Sequence, residues 1–532
     1  MTTISEKHDA VESAHAENVA SGKWLSTAEA QEASAAEHTV SLWDAVKTHR
    51  KGMIWSMILS MSVVMEAYDK SLLTSFYAYP SFQKKYGKFY PEIHDGAGGY
   101  QLSAPWQSAL SNAATIGIIF GGFINGWASN RYGYKRVMLI SLFAINAFIF
   151  IAFFSPSRPV LLVAEFLCGL PWGVFATTGP AYASEVMPLS LRGYLTVYIN
   201  LCWAGGQLLA AGVIKSLVTN TSQWGYKIPF AIQWAWPLPI FIALIFAPES
   251  PWWLVKQERW EDADKTIRIL STQTDQEIRG RIAQMRHTIQ LEDELDRGSS
   301  YKDCFTGVNL HRTEICCFAF AGQMFSGAQF AYGPTYFFEQ AGMPADKSFE
   351  VGLAGTGLAF VGTLLSWLLL TYFGRRTIYL TGISILTPIL FLIGIVSVST
   401  PGSAAGMWAQ AALCMVWQLV YALTLGPITY AIISESSSIQ VRAKTVVLAR
   451  NLYNIIAIAC QVLESYMINP TNWNWQGRTA FFWAGSASIS LVWTYFRLPE
   501  CKVSVSAQGV LQTSDSIITF CYLVSHTNRV RL

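Results

Sequence analysis

Twelve long apolar runs follow one another along this chain, and they fix what it can fold into. They lie near 53–75, 105–129, 137–156, 159–182, 194–215, 229–247, 313–338, 349–372, 377–397, 405–433, 445–467 and 478–496. About 20 mostly apolar residues cross the hydrocarbon core of a bilayer. Lipid offers no partner to backbone N–H and C=O groups, so each run is a helix that satisfies its own backbone. Composition agrees: 52% of the 532 residues are hydrophobic and only 13% charged, against roughly 25% charged in soluble domains. The 20 Trp and 23 Tyr suit two interfacial belts. The fold class is an all-α membrane protein of twelve transmembrane helices.

Several function classes drop out. A net charge of +3 gives no reason to expect nucleic acid as a partner. No Gly-rich loop ends in Lys-Ser or Lys-Thr, so ATP-driven transport has no motif. No catalytic triad or metal cluster appears, which argues against an enzyme. The nine cysteines read as small buried hydrophobes, not as a metal site or disulfide framework. The N-terminal residues lack a secretory apolar core and read as a disordered cytoplasmic tail over 1–50.

Basic residues cluster at Lys47, Arg50 and Lys51, at Arg131, Lys135 and Arg136, at Arg192, at Arg375 and Arg376, and at Arg442 and Lys444. If the chain begins inside, these all fall on one side, so the positive-inside rule puts both termini in the cytoplasm. Lys84, Lys85 and Lys88 fall outside, beside Glu92 and Asp95, as a tolerated exception. A charged, helix-favouring linker over 248–312 divides a six-helix bundle at 51–247 from a second at 313–498.

The halves repeat each other. Gly133 with Tyr134-Lys135-Arg136 follows the second span, and Gly374 with Arg375-Arg376 follows the eighth. Glu185 and Arg192 stand seven apart (192 − 185 = 7), and Glu435 and Arg442 repeat that spacing (442 − 435 = 7). Pro248-Glu249 closes the sixth span and Pro499-Glu500 the twelfth. Basic turns and Glu–Arg pairs at helix ends can bridge helices while the cytoplasmic side is closed and release them when it opens. Arg131, Lys135, Arg136, Glu185, Arg192, Glu249, Arg375, Arg376, Glu435 and Arg442 are the gating candidates; a purely topological role is the alternative.

These motifs resemble those of the sugar porters of the major facilitator type, over about residues 45 to 500. The run Asn130 to Arg136 resembles their loop after the second helix, and Pro248-Glu249-Ser250-Pro251-Trp252-Trp253-Leu254 their signature after the sixth. Trp252, Pro171-Trp172-Gly173 and Gly426-Pro427-Ile428-Thr429-Tyr430 resemble the fungal α-glucoside (maltose-type) permeases. Three positions depart from the pattern. Asn130 and Thr371 stand where the family usually has an acid, and Glu165 where many members have Arg. The resemblance stops after Glu500, and the segment Cys501–Leu532 reads as a cytoplasmic tail produced by a frameshift or retained intron.

Ionisable residues at membrane depth cost roughly 2.5–3.5 kcal/mol on insertion scales and mark function. Glu66 and Asp69 stand three apart on one face of the first span, where a carboxyl can take up and release a proton. The resemblance links Asp69 to proton coupling, and the alternative places both acids at a solvated outer mouth. Arg450 needs a carboxylate partner, either Glu66 or Asp69 across a central cavity or Glu435 locally. Glu165 is open between packing and coupling. A sugar calls for amides and aromatics. Gln207, Gln323, Gln329, Tyr332, Tyr336, Tyr430, Asn451 and Asn454 are the binding candidates, several of them matching sugar-binding positions of the family. Gly117, Gly121, Gly122 and Gly126 read as close helix packing. The expectation is a monomeric plasma-membrane proton symporter of an α-glucoside, with no cofactor beyond the coupling proton. The alternatives are a neutral-sugar facilitator, for a hexose for instance, or a sugar sensor.

Overall fold

The computed structural model describes residues 42–91, 98–298, 301–332, 334–340, 342–436 and 442–500. The stretches 1–41 and 501–532, most of the expected tails, lie outside the described residues, as do the side chains of Arg192, Tyr332, Glu435 and Arg442.

All twelve runs are helical. Helix α1 (Leu42–Thr48) falls inside the stretch read as tail and precedes the first span, α2 (Arg50–Ser60) and α3 (Ser62–Phe76). Beyond it, α4 (Pro80–Tyr86) and an antiparallel pair, β1 (Lys88–Tyr90) and β2 (Gly99–Gln101), lead to the second span. Spans two to five are α5 (Ala104–Tyr132), α6 (Tyr134–Phe153), α7 (Arg158–Val186) and α8 (Leu189–Leu217). The sixth is α9 (Trp224–Ile232) and α10 (Pro237–Phe246). After linker helices α11 (Pro251–Lys256), α12 (Trp260–Leu270) and α13 (Asp275–Gly298), the seventh span is α14 (Gly307–Phe325), α15 (Ala328–Tyr332) and α16 (Pro334–Gln340). Spans eight to twelve are α17 (Ala345–Tyr372), α18 (Arg375–Ser399), α19 (Ala404–Leu423) with α20 (Leu425–Ser436), α21 (Arg442–Ile468) and α22 (Thr479–Arg497).

The first, sixth, seventh and tenth spans are broken where hydropathy alone draws single runs. Gly327, at φ 85, separates α14 from α15; only glycine takes that conformation without strain. Thr424 leaves helical geometry at φ −120, ψ −86 between α19 and α20. A broken span exposes backbone groups, which membrane proteins tolerate only where protein or a watery cavity satisfies them.

The sequence repeat returns as a packing repeat. The second span packs on the fourth as the eighth packs on the tenth; the first on the fifth as the seventh on the eleventh; the third on the sixth as the ninth on the twelfth. Glycine makes the second–fourth contact possible: a Cβ on Gly117 or Gly121 would collide with the Phe166 or Leu170 carbonyl. Gly122 and Gly126 do not take part, since a Cβ there meets only Thr177 at 4.0 Å or nothing within 4 Å. Helix spacing alone cannot tell which glycine of such a run faces a neighbour. The two halves touch through the fifth and eighth spans and through the second and eleventh.

The linker docks on the N-terminal half. Trp253, Leu254, Ile267, Ile278, Ile282 and Met285 form its own small core. Arg281 Nη2 donates to the Val186 carbonyl at 3.1 Å, and the Thr272 amide to that of Thr48 at 3.0 Å.

Candidate functional site

Between the halves lies a cavity of about 280 Å³, walled by the first, second, fifth, seventh, eighth, tenth and eleventh spans. It is polar because these spans turn amides, hydroxyls and charges inward at a depth where each must have a partner.

One turn of the first span carries three charges. Glu66 is fully buried, and Lys70, four residues on, donates to its Oε1 from 3.0 Å. The Lys70 ammonium also lies 5.4 Å over the Trp203 ring, within cation–π range. Asp69, 3% exposed, accepts from Gln233 Nε2 in the broken sixth span and meets the carboxyl of Glu165 in the fourth. Two carboxyls in contact away from water repel each other when both are charged. Both acids of the first span are buried here, not solvated at an outer mouth. Asp69 and Lys70 line the cavity, while Glu66 and Glu165 stand behind its wall.

Arg450 also lines the cavity. The expected contact with Glu66 or Asp69 is not formed: Lys70 occupies Glu66, and Gln233 and Glu165 occupy Asp69. The guanidinium instead donates to Tyr430 Oη at 3.5 Å and lies 4.9 Å over the Tyr453 ring and 5.7 Å over that of Phe320. Lys70 is a second cation at membrane depth.

The structure brings Gln207, Gln323, Gln329, Tyr336, Tyr430 and Asn454 to the same wall, and leaves Asn451 off it. Gln323 Nε2 donates to the Leu425 and Gly426 carbonyls at 3.3 and 3.1 Å, on the first turn after the break in the tenth span. Gln329 Nε2 points at Met324 Sδ, 3.6 Å away. Tyr336 Oη accepts from Gln101 at 2.6 Å and Gln107 at 3.0 Å, which ties the seventh span to the second. Sequence reasoning passed over Lys70, Gln107, Gln461 and Glu464, all on the wall. The last two continue the face of Asn454 at helical spacing, a signal that was available.

At the end remote from the linker, polar contacts join the halves. Besides Tyr336, Gln83 Nε2 donates to Glu339 at 3.3 Å, Asn469 Nδ2 to the Leu102 carbonyl at 2.9 Å, and Lys215 pairs with Glu350 at 3.1 Å and with Asp346.

Among the described gating candidates, Glu185, Glu249, Lys135 and Arg376 each make helix-end contacts inside a single half. The Glu249 carboxylate accepts from the Tyr134 amide at 3.1 Å and the Lys135 amide at 3.3 Å, capping the third span. Burial raises the pKa of Glu249, and the Ser250, Lys135 and Tyr134 amides oppose that rise. Glu500 does the same for the ninth span, accepting from the Arg375 amide at 2.7 Å. Glu185 accepts from Tyr134 Oη at 2.7 Å and from Ser250. Lys135 Nζ donates to the Ile245 carbonyl at 2.7 Å, and Arg376 to that of Tyr495 at 2.8 Å. Arg131 lies 5.8 Å over the Tyr132 ring, and Arg136 is exposed. Asn130 and Thr371, two of the three departures, bond back to carbonyls of their own helices.

Comparison with known proteins places this architecture. A family model described as sugar (and other) transporter matches residues 55–506. A maltose permease of Saccharomyces cerevisiae is 38% identical over 480 residues, covering 89% of this chain and 77% of that one. An alpha-glucosides permease of the same species is 38% identical over 483 residues, covering 89% and 79%. Among solved structures, the E. coli xylose transporter XylE in a partially occluded inward-open conformation superposes with a TM-score of 0.67 at 16% identity, over 86% of this chain and all of that one. The proton:xylose symporter XylE bound to 6-bromo-6-deoxy-D-glucose gives 0.68 at 17%, over 85% and 97%. The fold is that of the major facilitator superfamily.

Proposed function

The chain belongs to the sugar transporter family, and on that premise we propose that it carries an α-glucoside into the cell together with a proton. Its work is transport, not catalysis. The observation that carries the reading is the cavity wall, where Asp69 stands among Gln207, Gln323 and Asn454. The amides grip hydroxyls, and the adjoining carboxyl pair holds the proton. Names of relatives support the cargo: proteins 38% identical over most of this chain are maltose and α-glucoside permeases.

The mechanism follows from the contacts. A proton entering the cavity lodges between Asp69 and Glu165, which removes a charge from the first-span turn. With that charge gone, the field around Lys70, Glu66 and Arg450 changes, and the relative stability of the inward- and outward-facing states changes with it. Sugar bound at the amides biases the same equilibrium, so cargo and proton cross together. The chain works as a monomer in the plasma membrane with both termini in the cytoplasm.

Uptake by transporter-deficient cells tests this. Labelled maltose, sucrose, trehalose and glucose are supplied at two external pH values. The expected result is accumulation of at least one α-glucoside, faster at the lower pH. Uptake indifferent to pH refutes symport, and uptake of glucose alone refutes the cargo. Asp69→Asn is expected to abolish accumulation against a gradient while leaving equilibration of the sugar; a variant that still concentrates sugar removes Asp69 from the proton path.

A further inference from the structure

Glu464 is an acid in the cavity wall that the proton chemistry does not use. It lies in the eleventh span and is 7% exposed. Its Oε2 accepts from Trp483 Nε1 at 2.7 Å, and its Oε1 has no hydrogen-bond partner among the described residues. Trp483 is itself 1% exposed and packs against Gly327, the break in the seventh span, so the carboxyl is held from behind by a rigid neighbour. A buried carboxyl oxygen left without a partner costs free energy unless one arrives. The cavity beside it is where donors arrive.

Position along the helix says which part of the cargo supplies them. Asn454, Gln461, Glu464, Ser465 and Ile468 follow one face of the eleventh span and line the cavity. From Asn454 to Glu464 the helix rises about 15 Å, more than one pyranose ring bridges. Gln207, Gln323 and Asn454 therefore serve one ring, and Glu464 stands beyond it toward Tyr336 and Gln107.

We propose that Glu464, backed by Trp483 and flanked by Gln461, is the acceptor for hydroxyls of the second sugar unit of a glycoside, and so sets selection of a disaccharide over a monosaccharide. The inference rests on the α-glucoside reading above and adds to it a subsite in which the unpartnered Oε1 of a buried carboxyl receives a sugar hydroxyl. A hydroxyl bonded at Glu464 belongs to one ring of the cargo, so loss of that bond is felt by the ring that makes it and not by the other.

The test compares wild type with Glu464→Gln and Gln461→Ala in transporter-deficient cells, with surface protein quantified. Maltose uptake gives KM and maximal rate. Competition by methyl α-glucoside, a one-ring probe, gives its inhibition constant. Glu464→Gln is expected to raise KM for maltose about tenfold with the maximal rate within about twofold, and to leave the inhibition constant of methyl α-glucoside unchanged. Gln461→Ala is expected to shift maltose alone in the same direction by a smaller factor, and it decides the matter if Glu464→Gln fails to reach the surface. Unchanged maltose KM overturns the proposal, and so does an equal shift for both sugars, which is what a structural role gives. Failure of methyl α-glucoside to compete in wild type overturns the division into two subsites. A wild type that carries no disaccharide brings down the α-glucoside reading, whereas a disaccharide carrier with unaltered variants brings down only the role of Glu464.

Discussion

Lys70 shows how one residue can reassign its neighbours. Glu66 is fully buried, and its partner is the ammonium 3.0 Å away, itself 31% exposed to the cavity. Truncating Lys70 leaves an ionised group without a counter-charge where water is absent. Lys70→Met is therefore expected to lower the melting temperature of purified protein in detergent, and Glu66→Gln with Lys70→Met to recover part of the loss. The double-mutant cycle is expected to give a coupling of roughly 1–3 kcal/mol; additive losses would show that the pair is not coupled. Much of the site was legible in the sequence at this scale. Glu66, Asp69 and Arg450 stand out because charges in apolar runs are rare, and the amides on the seventh and eleventh spans stand out by spacing. Their pairing was not legible: Gln233 reaches Asp69 from the sixth span and Glu165 from the fourth, and no local rule connects residues so far apart in the chain. Lys70 is legible by the same rule, as a charge within the first apolar run.

At the scale of elements, hydropathy draws the spans well and their interruptions poorly. The breaks at Gly327 and Thr424 depend on single backbone conformations inside long apolar runs, which a hydropathy window averages away. The basic turns are different, because their glycines carry a readable demand. Gly133 has φ 87, and a Cβ there would sit 2.9 Å from Glu249 Cδ, in the carboxylate that caps the third span. Gly133→Ala is expected to cost about 1–3 kcal/mol, from the left-handed backbone and the displaced cap. Gly126→Ala, in the second span with nothing within 4 Å, is expected to be neutral or to stabilise by up to about 1 kcal/mol through helix propensity. Thermal melts of the two variants in detergent check the contrast. Equal losses would mean that the turn is not held by its geometry.

For the whole molecule, the question is what keeps the cavity shut at the end remote from the linker. Tyr336 is central there: its hydroxyl receives both Gln101 and Gln107, and its ring meets that of Tyr77 edge-on at 6.4 Å. The bonds join the halves directly, so they exist in one state of the rocking motion and vanish in the other. Such contacts change the balance of states by their presence in one and absence in the other. Tyr336→Phe keeps the ring and removes two hydrogen bonds, each contributing about 1 kcal/mol. The outward-facing population is then expected to rise roughly 5- to 30-fold for a loss of about 1–2 kcal/mol. Thr115→Cys places a thiol on the cavity wall, and a membrane-impermeant maleimide applied to intact cells reports how often that wall faces outward. The expected outcome is slow labelling with Tyr336 present and faster labelling by that factor with Phe, each corrected for the parent chain without the new cysteine. Equal rates would show that packing between the fifth and eighth spans, not the polar seal, holds the outer side closed.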